Sequence, residues 1–233
     1  MAALLLLCTA TAYHPPHRSH ARSVKRDAQR TYTLTDAEGA TDLLEITTKA
    51  EGRTFVLDGS KMMTLYECSF YEGKLGYQVW PAALAGAAWA CKNKAFFEGK
   101  RVLELGAGGG LPGLVCAASG AASVVLSDLP EALPRLRRGI RQNNLSQNCA
   151  VKALDWRPAT RHPLFSDYGV EGRVAAYLGS TLPGVSRSWD AKRWLDAEPF
   201  DVVLCCDGVY RESLAAPLLT TLKRCCTPSR TVF

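Results

Sequence analysis

The chain has 233 residues, 47% of them hydrophobic and 21% charged, which suits one α/β domain with additions and a real core. Its formal net charge is +6, but Arg18, Arg22, Lys25 and Arg26 supply +4 of that in an acid-free leader; the near-neutral remainder argues against a large nucleic-acid footprint. Nine cysteines contain no C-x-x-C and include two adjacent pairs, which argues against a zinc site and a secreted disulfide framework and leaves reduced core thiols as the expectation.

Residues 1–26 are read as lying outside the fold. An apolar block, Ala2–Cys8, is far too short to span a bilayer, and small residues (Thr9 to Ala12) and a His-, Pro- and Arg-rich segment follow. This is either a targeting leader without the usual charged start, or a disordered tail or misassigned start. The cytoplasm is the default compartment, with an organelle as the alternative if the leader is genuine. Residues 27–75 hold short alternating runs such as Leu43-Leu44-Glu45-Ile46-Thr47 and Thr54-Phe55-Val56-Leu57, punctuated by Gly52 and Asp58-Gly59. They predict a small β extension beside the main domain, without chemistry of its own.

The main domain is expected over 76–233. Pro81 suits the first turn of a helix, and the alanine-rich run after it is helix-forming, so Trp80 stands immediately before a helix. Arg101 to Gly113 reads R-V-L-E-L-G-A-G-G-G-L-P-G: a buried strand broken only by Glu104, a glycine turn, then helical spacing. Strand, glycine turn and helix N-terminus together offer backbone N–H groups to a ligand. Gly106-x-Gly108-x-Gly110 begins directly after the strand, whereas the dinucleotide fingerprint Gly108-x-Gly110-x-x-Gly113 begins two residues late.

A second buried strand, Ala121 to Asp128, ends in an acid 22 positions after Gly106, the distance at which an acid meets an adenosine ribose. A turn or capping residue is the plain alternative for Asp128. Leu129 to Asn144 is a basic helix whose Arg135, Arg137, Arg138 and Arg141 read as a solvated face. Ala150 to Trp156 gives a third strand ending A-L-D-W, and Phe200 to Tyr210 a fourth ending at Asp207. Helical spacing returns over Arg211 to Cys226, so the alternation predicts a parallel, doubly wound sheet.

The ordered set V-W-P-A-A (79–83), V-L-E-L-G-A-G-G-G-L-P-G (102–113), S-D (127–128), A-L-D-W (153–156) and C-D-G-V-Y (206–210) resembles a class I S-adenosylmethionine-dependent methyltransferase. More narrowly, it resembles the protein-lysine methyltransferases of methyltransferase family 16. That resemblance implies a Rossmann-like sheet with helices on both faces, S-adenosylmethionine as cofactor, no metal, and a protein substrate met by a monomer without membrane or nucleic acid. It implies that Gly106, Ala107 and Gly108 wrap the methionine portion and that Asp128 binds the ribose. Trp156 would pack near the adenine, Trp80 close the methionine side, and Cys206 contact the cofactor. Asp155 would either bond the adenine amino group or cap. Asp207 and Tyr210 match the family's D-x-x-Y motif beside the transferred methyl; capping of the following helix is the plain reading of Asp207.

Two departures from the family pattern stand out. Residues 157–199, broken by Pro158, Pro163, Gly169, Gly172, Gly179, Pro183 and Gly184, read as an insertion loop. The chain also stops at Thr231-Val232-Phe233, read as lying inside a fifth strand, so the C-terminal strands of the family fold are expected to be missing. The rivals are a nicotinamide-binding oxidoreductase, which the early glycines count against, and a non-catalytic module that keeps the cofactor fold. A nucleic-acid amino-methyltransferase is disfavoured because Gly208-Val209 stands where that class carries Pro-Pro.

Overall fold

The computed structural model describes residues 28–35, 41–49, 54–57, 61–65, 79–156, 194–195 and 199–226. The leader 1–26, nearly all of the 157–199 insertion and the terminal 227–233 lie outside the described residues. Four strands come first, β1 (Ala28–Thr35), β2 (Thr41–Lys49), β3 (Thr54–Leu57) and β4 (Lys61–Thr64), paired antiparallel in chain order. Helices α1 (Pro81–Lys92) and α2 (Lys94–Phe97) lead into β5 (Arg101–Leu105), α3 (Leu111–Ala118) and β6 (Ser123–Asp128). Then come α4 (Leu133–Gln142), β7 (Cys149–Ala153), β8 (Val202–Leu204) and α5 (Ala215–Cys225).

The second sheet is parallel with strand order β7-β6-β5-β8. Its central strand, β5, is apolar because neither face meets water: Val102, Leu103, Leu105 and even Glu104 are buried. Val102 belongs to the core under α1, α3 and α4, with Leu84, Leu114, Leu126 and Leu136. Leu103 and Leu105 belong to the core on the other face, with Leu154, Phe200, Val203 and Leu218. Alternation along one strand therefore feeds two helix layers, the doubly wound arrangement.

From β5 the chain moves outward to β6 and β7, then returns to place β8 on the other side of β5. The C-terminal ends of β5 and β8 are thus neighbours at the point where strand order reverses, the place where open α/β sheets bind ligands. Strand β8 is shorter than the apolar run suggests. Pairing with β5 stops at Leu204, and three residues on Asp207 takes a left-handed conformation at φ 56°.

Asn143 hydrogen-bonds the β meander to the parallel domain. Asn143, just past α4, accepts a hydrogen bond from Thr64 N at 2.9 Å and donates from Nδ2 to Thr64 O at 2.8 Å. Its amide thereby pairs with β4 as another strand would. Phe55, Met63 and Leu65 complete the attachment by joining the core of α1, α3 and α4. At the corner between α1 and α2, Trp89, Phe96 and Phe97 pack edge to face with centroids 5.0–5.8 Å apart.

The basic-helix expectation needs one correction. Arg137, Arg138 and Arg141 are exposed, but Arg135 is only 8% exposed. It belongs to the buried side of α4 with Leu136, Gly139 and Ile140, and Gly139 follows it by four residues, about one helical turn.

Candidate functional site

The site is built on the turn after β5. Gly106, Gly108 and Gly110 have φ of 63°, 52° and 78°, a left-handed series that side chains resist. The turn is pinned at several points: Ala107 N donates to Ser127 O at 3.0 Å, and Gly110 N to Ala107 O at 2.6 Å. Asp128, at the tip of β6, accepts from Gly108 N through Oδ2 and from Leu129 N through Oδ1, both at 2.6 Å. Burial pushes the Asp128 carboxyl up, against the two backbone N–H groups and the Arg135 charge, which favour its ionised form.

Glu104 explains the next glycine. Its Oε2 accepts from Gly113 N at 2.9 Å, so a carboxyl from the central strand holds a donor in the first turn of α3. A Cβ on Gly113 would come within 2.5 Å of that oxygen and would collide with Leu126. Complete burial raises the Glu104 carboxyl from its ordinary 4.5 to about 8, despite the Gly113 bond. Its carbonyl also accepts from Ser127 Oγ at 2.7 Å, which joins β5 to β6 beside the turn.

Trp156 comes up beside the turn from the end of β7. Its ring edge lies where a side chain on Gly106 would be, 2.8 Å from the Cβ position, and it also borders Gly208 at 3.8 Å. The ring therefore stands at the start of the turn, the part that the resemblance gives to the methionine portion. Asp155 is half-buried next to it.

The D-G-V-Y loop after β8 meets the start of α1. Asp207 Oδ2 accepts from Ala82 N at 3.1 Å across 125 positions of sequence. The expected cap on the following helix is absent: the short 3₁₀ turn at 212–214 starts from Arg211 with no side-chain cap. Asp207 instead caps α1, whose own N-cap position holds Trp80 without a side-chain bond. Trp80, Val209 and Tyr210 are 36%, 49% and 61% exposed, so an apolar and aromatic rim surrounds the carboxylate. Partial burial raises the Asp207 carboxyl, opposed by the Ala82 N–H. Cys206 turns the other way, with Sγ 2.9 Å from where a Cβ on Gly86 of α1 would be. Cofactor contact by Cys206 rests on the resemblance alone.

Two groups escaped the sequence reading in its functional sense. Glu104 was visible as an acid in an apolar strand, and its partner Gly113 was visible only as part of a fingerprint. Arg135 Nη2 donates to Gly108 O at 2.6 Å, which makes it part of the turn and not of a solvated face. Its place on the apolar stripe of α4 was the available signal. Among the described residues no cluster of His, Cys, Asp and Glu has metal-holding geometry. Burial and the Glu104 charge push the Cys149 and Cys205 thiols up to about 12, which suits inert core thiols.

Residues 60–171 match a family model described as lysine methyltransferase. This stretch belongs to that family. The match covers β4, Trp80, the glycine turn, Asp128 and Trp156, and it ends before β8 with Asp207 and Tyr210. The chain is 32% identical over 174 residues to the human protein-lysine N-methyltransferase EEF2KMT, covering 65% of this chain and 53% of that protein. It is 41% identical over 151 residues to the Xenopus laevis histone-arginine methyltransferase METTL23, covering 64% and 50%. A solved structure of a putative RNA methyltransferase from Pyrococcus horikoshii aligns with TM-score 0.41 at 17% identity, covering 68% and 64%. The chain spans about half the length of these two curated relatives. The family's class I architecture is the parallel β7-β6-β5-β8 sheet with its glycine turn at the switch point.

Proposed function

We propose that the chain is an S-adenosylmethionine-dependent methyltransferase that transfers a methyl group to a lysine side-chain amine of a protein. The observation that carries this reading is the convergence of the glycine turn, Asp128 and the D-G-V-Y loop at the one point where strand order reverses. The lysine methyltransferase match, which covers the glycine turn and Asp128 of that constellation, supports the same conclusion.

The residues present fit such a cofactor. Gly106 exposes backbone without a side chain, and Asp128 keeps acceptor capacity on both oxygens after taking two backbone N–H groups, enough for two ribose hydroxyls. When bound, the cofactor supplies a methyl group activated by a sulfonium charge. Gly106, Ala107 and Gly108 then hold its amino-acid portion against backbone, and Asp128 fixes the ribose. The rings of Trp156 and Trp80 offer aromatic faces to a cation. Asp207 accepts from the incoming amine and aligns it, while Tyr210 and Val209 shield the aliphatic chain behind it.

Attack requires a neutral amine. Burial makes the Asp207 carboxylate a better proton acceptor than an exposed one, and the same apolar rim disfavours an ammonium. Both effects favour loss of the amine proton at the site. The acceptor is read as protein and not nucleic acid because the chain outside residues 1–26 is near neutral. The seven described cysteines are free thiols, which supports a reducing compartment, the cytoplasm, and we take the acting species as a monomer.

The test is calorimetric binding of S-adenosylmethionine and S-adenosylhomocysteine to the full chain, then methyl transfer from labelled cofactor to lysate proteins. Micromolar binding and methyl-lysine in the acid hydrolysate are expected. Methyl-arginine would move the reading to the acceptor named for the Xenopus relative. A folded sample that binds neither compound would end the methyltransferase reading.

A further inference from the structure

We propose that Arg135 is a positioning residue of the cofactor site: together with Asp128 it clamps both backbone polar groups of Gly108 and so fixes the glycine turn. This inference rests on the cofactor-binding reading above. Gly108 N donates to Asp128 Oδ2 and Gly108 O accepts from Arg135 Nη2, each at 2.6 Å. One residue in a left-handed conformation is therefore held from β6 on one side and from α4 on the other. Elsewhere in the turn Ala107 N and Gly110 N bond to backbone carbonyls, and Glu104 holds Gly113 N where the turn enters α3.

Burial of the guanidinium points to a task. Arg135 sits on the apolar stripe of α4, where a Leu or Met would continue the core without desolvating a charge. What the arginine adds there is a planar donor for Gly108 and a positive charge for Asp128. The charged groups facing Asp128 are Arg135 from α4, Glu131 from the 3₁₀ turn before it, and Glu104 from β5. Arg135 is the one cation of the three, and it joins the Gly108 and Leu129 N–H groups in favouring the ionised Asp128 that the ribose needs. Removing it leaves only the Gly108 and Leu129 N–H groups against burial and the Glu131 charge, and Asp128 then ionises at higher pH.

The experiment measures S-adenosylhomocysteine binding to the full chain from pH 5 to 9 for wild type, Arg135→Met and Arg135→Lys. Arg135→Met is expected to bind about tenfold more weakly at pH 7. The pH at which its binding is half-maximal should move toward alkaline pH. Arg135→Lys keeps the charge and loses the planar fork, so it should hold the wild-type pH midpoint while still weakening affinity. A purely structural arginine would lower thermal stability without moving the midpoint. Wild-type affinity and midpoint in Arg135→Met would overturn the inference, as would wild-type affinity in Arg135→Lys if the Met variant fails to fold. Absence of binding to the folded wild-type chain would instead overturn the cofactor reading, and this inference with it.

Discussion

Gly113→Ala sets two physical rules against each other, and the structure decides the sign. Gly113 lies in the first turn of α3 without a positive φ, so helix propensity alone predicts a gain of about 1 kcal/mol from alanine. The new methyl, however, would stand 2.5 Å from Glu104 Oε2 and collide with Leu126, both fully buried. Overpacking of that kind costs about 1–3 kcal/mol. If Glu104 swings away to relieve it, the bond to Gly113 N is lost and a buried donor and carboxyl go unmet, about 1–3 kcal/mol more. The losses exceed the gain, and the net is destabilisation of about 3 kcal/mol. For a domain of this size that is a fall in melting temperature of roughly 6–12 °C. Urea denaturation followed by circular dichroism measures it directly. A variant as stable as wild type, or more stable, would show that Glu104 and Leu126 yield at no cost and that the close approach is not what selects glycine.

Glu104→Gln should flatten the pH dependence of stability. A buried carboxyl at about 8 instead of 4.5 leaves the folded state holding a proton that the unfolded state has released. Stability contributed by this group is therefore full below pH 4.5 and is lost as pH rises through about 8, at about 1.4 kcal/mol per pH unit. Denaturation curves between pH 5 and 9 that keep the wild-type slope in the glutamine variant would rule Glu104 out as its source; the raised Asp128 carboxyl leaves a residual slope of the same sign. Asp207→Asn retains an oxygen for Ala82 N and tolerates the left-handed backbone, so stability should change by less than about 0.5 kcal/mol. Cofactor binding should survive in that variant while methyl transfer falls about a hundredfold; normal transfer would remove Asp207 from the mechanism. Asn143→Ala breaks both bonds to Thr64 and should cost about 1–3 kcal/mol, with faster amide exchange concentrated in β3 and β4. Uniform acceleration across both sheets would mean that the meander is not attached through this clasp.

What was legible in the sequence depended on the range over which each rule acts. The strand–turn–helix at 101–118, the acid closing β6 and proline at the first position of α1 are local patterns, and each sits where the pattern puts it. The four strands of the meander could be recognised as strands, but nothing in their alternation points to Asn143, 79 positions after Thr64. Asp207 is the sharper case. Local rules read an acid before a helix as its cap, yet the carboxylate caps α1, 125 positions earlier, because β8 lies beside β5 and delivers its end to the start of that helix. Cys206 shows the converse: it follows Cys205 in sequence but points under Gly86, on the other face of the sheet from Leu103 and Val203.

The same geometry explains why a short list of residues from distant segments forms one site. In the order β7-β6-β5-β8 the strand order reverses between β5 and β8. Every loop leaving the C-terminal edge near that point must pass over it, which brings 106–110, 128 and 207–210 within reach of one another. The turn then needs anchors on both sides, since its left-handed glycines have no side chains with which to hold themselves. Asp128 and Glu104 supply them from neighbouring strands, and Arg135 from the helix above. Three ionisable groups buried around one glycine loop would be a poor way to stabilise a core, given the desolvation each one costs. Their arrangement makes sense as the fixed wall of a binding site. That is why affinity and its pH dependence, more than melting temperature, are the measurements on which the assignment of these three residues turns.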